Sequence, residues 1–195
     1  MSINKVYEAV VIGVSTGGMD ALRDIFMNLN EYFTMPILVV QHLYTQSENF
    51  LATYLNKLTH LTVKEADEKE QIQLNTVYLA PPNYHLIVEE DKTISLSTDE
   101  RVNFCRPSID VLFETAADAY GANLIGIILT GANSDGANGM LRIKEKGGLL
   151  IVQDPATADV STMPLSVIKQ TQVDHVLSLK DIAEFLNRSN LQNGV

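Results

Sequence analysis

The chain has 195 residues, of which 46% are hydrophobic and 19% are charged, and its formal net charge is −10. This balance is typical of a compact globular domain and excludes an intrinsically disordered chain. The acidic charge argues against a nucleic-acid ligand, which would need a basic surface.

The sequence also lacks the features of a secreted or membrane-inserted protein. No apolar run approaches the roughly 20 residues that cross a bilayer, and the N-terminus has no signal-peptide pattern. A single cysteine, Cys105, cannot form an internal disulfide. No repeat or linker divides the chain. We therefore predict one cytoplasmic domain over residues 1–195, without membrane insertion.

The first half of the chain alternates apolar strands with helical stretches. Residues 10–14 form a strand, and the apolar residues after it recur at helical spacing, namely Leu22, Ile25, Phe26 and Leu29. Residues 36–41 (PILVVQ) form a second strand, which a helical stretch near residues 48–57 follows. Thr76–Leu79 is predicted as another short strand.

The second half continues this alternation after one hairpin. His85–Val88 and residues 93–96 flank EEDK and predict an antiparallel pair. Ser108 is predicted to cap a helix that Gly121 ends. The later elements are a strand at 124–129, a helix at 136–146 ended by Gly147, a strand at 149–152, and a last helix with a capping box of Ser178 and Asp181.

Continuous apolar strands separated by helices predict an α/β fold. We expect a doubly wound, mostly parallel sheet with helices on both faces, plus the one antiparallel hairpin. Right-handed crossovers bring the carboxyl ends of all parallel strands to one edge, and ligands bind at that edge.

Three polar residues follow three of the predicted parallel strands. Ser15 follows the first strand, His42 the second, and Asp135 lies in the loop after residues 124–129. These residue types suit acyl transfer, in which the hydroxyl attacks, the imidazole takes its proton and the carboxylate orients the imidazole. Amides at the following helix N-terminus can stabilise an oxyanion. The sequence therefore predicts a catalytic site at this edge.

Each of these residues also has a simpler interpretation when it is taken alone. Ser15 with Thr16 can be a helix cap, His42 a hydrogen-bonded polar residue, and Asp135 with Gly136 a turn. Cys105 lacks a neighbouring base in the sequence, which favours a buried apolar role. Arg106 either orients a substrate carboxylate or forms a salt bridge under the helix near Ser108.

The motifs GVSTGG, VVQH, APPNYH, RPSIDVLF and ILTGANSDGANGM occur in this order from about residue 8 to about residue 186. In this respect the chain resembles the catalytic domain of CheB, the chemotaxis protein-glutamate methylesterase. The resemblance implies a Ser-His-Asp triad that falls on Ser15, His42 and Asp135. It further implies that the substrates are glutamyl methyl esters on the cytoplasmic helices of chemoreceptors, with glutamine deamidation as a second activity. No cofactor is implied.

The chain departs from this family in two respects. The family loop usually reads L-T-G-M-G-x-D-G, whereas Ala132 stands here in place of the methionine and Asn133 in place of the second glycine. Alanine keeps the backbone amide, which we expect to form the oxyanion hole together with Thr16 and the amides near Ser15. Asparagine tolerates a left-handed backbone, so the loop is expected to persist.

The second departure concerns the N-terminal receiver domain that members of this family usually carry. This sequence instead begins almost at the first catalytic strand. We therefore expect a site that is open by default. Its activity would be limited by the supply of substrate or by a separate regulatory protein that docks at the same rim.

Two other functions are compatible with parts of the sequence. A catalytically impaired interaction module on the same fold would explain the altered loop. A nucleotide-binding or phosphate-binding module is disfavoured, because GVSTGG lacks the spacing of the dinucleotide and P-loop motifs. No metal site is predicted, since the histidines (His42, His60, His85 and His175) lack paired ligand spacing and Cys105 has no second thiol.

Overall fold

The computed structural model describes residues 6–42 and 50–191. The elements of the first half, in chain order, are β1 (Ala9–Val14), α1 (Gly18–Met27), β2 (Ile37–Gln41), α2 (Phe50–Leu55), β3 (Thr62–Glu65), β4 (Thr76–Leu79), β5 (His85–Val88) and β6 (Ile94–Ser97). Those of the second half are α3 (Ile109–Tyr120), β7 (Leu124–Ile128), α4 (Ala137–Glu145), β8 (Leu149–Gln153), α5 (Thr162–Gln170), β9 (His175–Leu177) and α6 (Leu179–Leu191). A short 3-10 helix, Gly121–Asn123, lies before β7.

Seven of these strands form one sheet in the order β3-β4-β2-β1-β7-β8-β9. Every neighbouring pair in this sheet is parallel, and β5 and β6 form a separate antiparallel pair. This confirms the predicted fold class. The chain places β2, β3 and β4 on one side of β1 and then β7, β8 and β9 on the other, so the strand order reverses between β1 and β7. Ligands bind at such a reversal in open α/β sheets.

The helices cover both faces of the sheet, and each face has its own apolar cluster. Val10, Ile12 and Val14 of β1 pack in one cluster with residues of α1, α2 and α6. Ala9 and Val11 point the other way and pack in the second cluster with α3, α4 and α5. All six residues of β1 are buried, because the strand lies at the centre of a sheet covered on both sides.

Two strands and one α-helix of the structure were not predicted. β3 is an edge strand of sequence TVKE with one buried residue, and β9 has only three residues, none of them buried. Neither has the apolar run that marks a central strand. Helix α5 carries Pro164 in its first turn, where proline is tolerated, although it obscures the helical pattern.

Some predicted boundaries also differ from the structure. Leu29 is buried but lies beyond the end of α1. The second helix begins at Phe50 among the described residues, so positions 48 and 49 of its predicted range lie outside them. Phe50, an apolar residue at the start of this helix, is 57% exposed. No helix in the described part of the chain is long and apolar enough to cross a membrane.

Candidate active site

The three candidate catalytic residues lie at the carboxyl ends of adjacent strands. Ser15 follows β1, His42 follows β2, and Asp135 lies in the loop between β7 and α4. Because β2, β1 and β7 are neighbours in the sheet, their loops meet at one edge. There, His42 Nε2 lies 3.0 Å from Asp135 Oδ2.

Ser15 and His42 line the same cavity, which has a volume of about 220 Å³. The other lining residues come from the loop before α3 and the loop after β7, namely Arg101, Phe104, Cys105, Arg106, Pro107 and Asn133. Asp135 is fully buried, with an exposed fraction of 0%. The geometry therefore brings the three predicted residues together, with the carboxylate in the interior and the serine and histidine at the cavity.

A glycine turn connects Ser15 to helix α1. Gly17 is the N-cap of α1 with φ of +79°, and no side chain caps this helix. A left-handed φ of this kind favours glycine. The Ser15 N–H donates to Thr130 O at 3.0 Å, whereas its hydroxyl makes no hydrogen bond to a described residue. The cap interpretation of Ser15 is therefore wrong, and its side chain remains available at the cavity.

Several backbone N–H groups near Ser15 are available as donors. Within the described residues, the N–H groups of Thr16, Gly17 and Ala132 donate no hydrogen bond. Thr16 and Ala132 are both exposed, and neither is among the residues that line the cavity. Their place in an oxyanion hole thus remains a prediction, for which the structure provides free donors at the correct edge.

Gln41, which the sequence analysis did not single out, fixes the backbone on both sides of the site. Its Nε2 donates to Ser15 O at 2.9 Å and to His42 O at 3.0 Å. The His42 N–H donates to Val14 O at 3.1 Å. A Cβ at position 18 would lie 2.0 Å from Gln41 Oε1. Gly18, the second glycine of the STGG motif, therefore leaves room for the Gln41 side chain.

Asp135 accepts hydrogen bonds from an unusually complete set of donors. Oδ2 accepts from His42 Nε2 and from the Ile109 N–H at 2.7 Å. Oδ1 accepts from Ser108 Oγ at 2.8 Å, from Asn103 Nδ2 at 3.0 Å and from the Asp110 N–H at 3.3 Å. Burial alone would raise the pKa of Asp135, but these hydrogen bonds outweigh it and lower the pKa. The carboxylate stays ionised at the N-terminus of α3, where a negative charge is favoured.

The role of Ser108 is therefore different from the predicted one. It is the N-cap residue of α3, but its side chain makes no capping hydrogen bond to that helix. The Ser108 hydroxyl donates to Asp135 instead, and Asp135 accepts the first N–H groups of the helix. Asp135 thus couples the start of α3 to the position of His42.

Asn103 connects Asp135 to a second buried carboxylate. Its Nδ2 donates to Asp135 Oδ1 and to Asp110 Oδ2, the latter at 2.8 Å. Burial raises the pKa of Asp110, and the nearby charge of Asp135 raises it further, although the Gly139 N–H opposes this. Asn103 has φ of +51° in the turn between Val102 and Cys105. Its amide nitrogen lies between the two carboxylates and holds them in place.

Two effects act on the pKa of His42. Burial lowers it, but the hydrogen bonds with Asp135 and Cys105 and their charges raise it, to about 9. A further hydrogen bond favours the neutral ring, because Asn133 Nδ2 donates to His42 Nδ1 at 3.2 Å. That nitrogen accepts a hydrogen bond only while it carries no proton. Since Nε2 faces the carboxylate of Asp135, this contact belongs to the neutral ring with its proton on Nε2, the form that predominates above the pKa of about 9.

The prediction that Cys105 is a buried apolar residue is wrong. The residue is partly exposed and lines the cavity with Ser15 and His42. Ligand atoms of His42, Cys105 and Asp135 lie within 4.8 Å of one another. Spacing along the sequence did not indicate this grouping, because the chain brings Cys105 to His42 through the loop before α3. A metal ion there would have to displace hydrogen bonds that Asp135 already accepts.

Arg106 and the remaining histidines have structural contacts. Arg106 Nη1 donates to the carbonyl oxygens of Thr98 and Asp99, and within the described residues it forms no ion pair. His60 and His85 hydrogen-bond to the carbonyl oxygens of other residues, and the His175 ring packs against Phe185. A substrate-binding role for Arg106 remains a prediction.

The hydrogen bond from Ser108 to Asp135 leads to a specific expectation. Removing a hydrogen bond to a charged group costs roughly 1.5–3 kcal/mol, and about 1.4 kcal/mol corresponds to a factor of ten in rate. For Ser108→Ala we expect ester hydrolysis to be about ten to a hundred times slower, measured as kcat with an unchanged far-UV spectrum. Ser134→Ala, an exposed serine of the same rim, is the matched control. Equal rates for the two variants would contradict a supporting role of Ser108.

Comparison with known proteins gives one consistent result. The family model for CheB methylesterase matches residues 10–186. A Leptospira interrogans protein, provisionally named protein-glutamate methylesterase/protein-glutamine glutaminase, is 56% identical over 96% of this chain and 97% of its own length. A Caulobacter vibrioides protein named for the same two activities is 38% identical over 92% of this chain. The chain spans 53% of that relative's length.

A solved structure shows the same fold. The crystal structure of the Thermotoga maritima CheB methylesterase catalytic domain superposes with a TM-score of 0.88 and 38% sequence identity, over 93% of this chain and 98% of that one. The relatives are named for hydrolytic activities, which confirms the predicted enzyme class. The parallel sheet, the His42–Asp135 pair behind the STGG turn and the match over residues 10–186 agree: the chain belongs to the CheB methylesterase family.

Proposed function

We propose that this chain is a serine carboxyl-ester hydrolase that demethylates glutamyl methyl esters on the cytoplasmic helices of chemoreceptors and also deamidates glutamine side chains there. The observation that carries the proposal is the His42–Asp135 hydrogen bond beside a cavity that Ser15 also lines. The names of the relatives, protein-glutamate methylesterase/protein-glutamine glutaminase, support the two substrates.

The reaction follows from the three side chains. Ser15 Oγ attacks the carbonyl carbon of the ester while His42 Nδ1 takes the hydroxyl proton, and Asp135 stabilises the resulting imidazolium. The tetrahedral intermediate then expels the methoxy group, which leaves as methanol with the proton from His42. A water molecule, deprotonated by His42, cleaves the acyl-enzyme to give glutamate and free Ser15. With a glutamine substrate, ammonia takes the place of methanol.

We assign the stabilisation of the oxyanion to the N–H groups of Thr16 and Ala132, both of which are free at this edge. Losing one such donor typically costs roughly 3 kcal/mol of transition-state stabilisation. For Ala132→Pro, which removes the N–H, we expect kcat to fall by about 10² to 10³ with little change in KM. Ala132→Gly keeps the N–H and serves as the control. Equal values of kcat for the two variants would contradict the assignment.

Further features belong to this proposal. The chain acts as a single catalytic domain over residues 1–195, since one sheet with two apolar clusters extends through the described residues. It acts in the cytoplasm, where the receptor helices named above lie. The steps above use only protein groups and water, so they need no cofactor. A separate regulatory protein that docks at the rim of the cavity would control access of the receptor.

Methanol release from methylated receptor tests this function. We expect the wild-type protein to release methanol and Ser15→Ala to release none above background. A wild-type protein that binds the receptor but releases no methanol would instead support the interaction module.

A further inference from the structure

Asn133 makes three contacts that orient its side chain at the site. Its Oδ1 accepts the N–H of Asp135 at 3.1 Å. Its Nδ2 lies 3.2 Å from His42 Nδ1 and 3.9 Å from Cys105 Sγ. Because a backbone N–H can only donate, the amide oxygen must face Asp135, and the amide nitrogen therefore faces the imidazole.

This contact occupies the nitrogen that the reaction needs. His42 Nε2 faces Asp135, so Nδ1 is the nitrogen that would take the proton of Ser15. In the structure Nδ1 accepts from Asn133 instead, and the Ser15 hydroxyl makes no hydrogen bond to a described residue. The base and the nucleophile are thus not yet connected to each other.

The side chain of Asn133, and not its backbone, occupies Nδ1 of His42. Asn133 is absent from the described non-glycine residues with positive φ, so it does not use the left-handed conformation that a glycine would provide. A glycine, which is usual at this position of the motif, has no group that could reach Nδ1.

We propose that Asn133 is a latch that blocks Nδ1 of the neutral His42 ring in the free enzyme until substrate displaces the amide. The proposal rests on the function proposed above. Asn133 lines the same cavity as Ser15, so an ester or amide group that enters there meets it directly. Displacement frees Nδ1 for Ser15, and the released amide can then donate to the substrate carbonyl oxygen.

The groups around His42 determine whether its pKa rises or falls when Asn133 is replaced. Asp135 and Cys105 favour the imidazolium, and the other charged groups that line the same cavity are the cations Arg101 and Arg106. The hydrogen bond from Asn133 favours the neutral ring. Removing this donor should therefore raise the pKa of His42, although it unblocks the nitrogen for catalysis.

Two variants of Asn133 separate these effects. Asn133→Ala removes the donor, and we expect the pKa of His42 to rise by about one unit, which corresponds to a tenfold change. Asn133→Asp keeps an oxygen for the Asp135 N–H but places an acceptor at Nδ1, so we expect a larger rise. Both pKa values can be read from ¹⁵N NMR titrations of the imidazole, assigned with His42→Ala. Ser134→Ala, an exposed neighbour, should leave the pKa unchanged.

Kinetics provide the second measurement. In Asn133→Ala the acidic limb of the kcat/KM profile should shift to higher pH, while the plateau at high pH rises several-fold because Nδ1 is no longer blocked. An asparagine that only supports the loop would lower the plateau when it is removed. An unchanged or lower pKa, or a lower plateau, would overturn the proposal. Titrations in a Ser15→Ala background give the pKa result independently of the nucleophile, so a failure of the proposed function remains distinguishable.

Discussion

Ser15→Ala should reduce ester hydrolysis to the uncatalysed background. In a serine hydrolase of comparable design, loss of the nucleophile lowers kcat by on the order of 10⁶. We expect the same here because no other hydroxyl lines the cavity together with His42 among the described residues. The measurement is methanol release, followed for long enough to detect a rate about 10⁵ times below that of the wild type.

Two control variants make the result specific. Ser134→Ala removes an exposed serine of the same loop whose hydroxyl makes no hydrogen bond to a described residue, and it should retain full activity. Cys105→Ala removes the thiol that lies beside His42, and hydrolysis should persist. If Ser15→Ala kept more than about a tenth of the activity and Cys105→Ala lost it, Cys105 would be the nucleophile, since a thiol next to an imidazole is a competent one.

Asp135→Asn should have the second-largest effect. An amide nitrogen in place of one carboxylate oxygen stabilises the wrong imidazole tautomer, which costs on the order of 10⁴ in kcat in a comparable triad. In that orientation the NH₂ group also faces the Ile109 N–H at the start of α3, and in the opposite orientation it faces the donors from Ser108 and Asn103. We therefore also expect the free energy of unfolding at pH 7 to fall by about 3 kcal/mol, since hydrogen bonds to a charged group are lost.

The pH dependence of stability tests the cause of this loss. The pKa of Asp135 is lowered in the folded protein, so its contribution is present above the unfolded value of about 4 and is lost as the pH falls through the lower folded pKa. The difference in stability between wild type and Asp135→Asn should therefore shrink in that acidic range. Asp159→Asn, an exposed carboxylate near Gly17, is the matched control. Equal pH dependence in both variants would contradict a buried, ionised Asp135.

The edge of the sheet that carries the site could be predicted from the sequence. The strands β1, β2 and β7 are fully buried, so they appear in the sequence as continuous apolar runs. Parallel strands bring their carboxyl ends to one edge, and a polar residue directly after such a strand, or in the loop that follows it, is therefore placed at that edge by topology. Ser15, His42 and Asp135 could be located in this way before any side-chain contact was known.

The groups that support Asp135 could not be found in the same way. Asn103 and Ser108 reach it across 32 and 27 residues of sequence, from a loop whose path depends on a turn with positive φ. An Asn-x pair between Val102 and Cys105 is a weak turn signal, and nothing local indicates what the turn contacts. The same loop carries Cys105 to the cavity, so the residues next to Cys105 in the sequence do not indicate its position beside His42.

Asn133 is a different case, because the sequence identifies it as a departure from the family motif but suggests a left-handed backbone that it does not adopt. The relevant property is the amide side chain, whose two ends are fixed by Asp135 and His42. Only the structure shows that these partners lie on opposite sides of it.

The most direct test of the account is to trap the nucleophile. A fluorophosphonate transfers its phosphonyl group to an activated oxygen nucleophile with release of fluoride, and peptide mass spectrometry then locates the adduct. We expect one phosphonyl group per chain, on Ser15, and no labelling of Ser15→Ala or His42→Ala. Labelling of Cys105 instead, or no labelling of a protein that does release methanol, would contradict the claim that Ser15 is the nucleophile activated by His42 and Asp135.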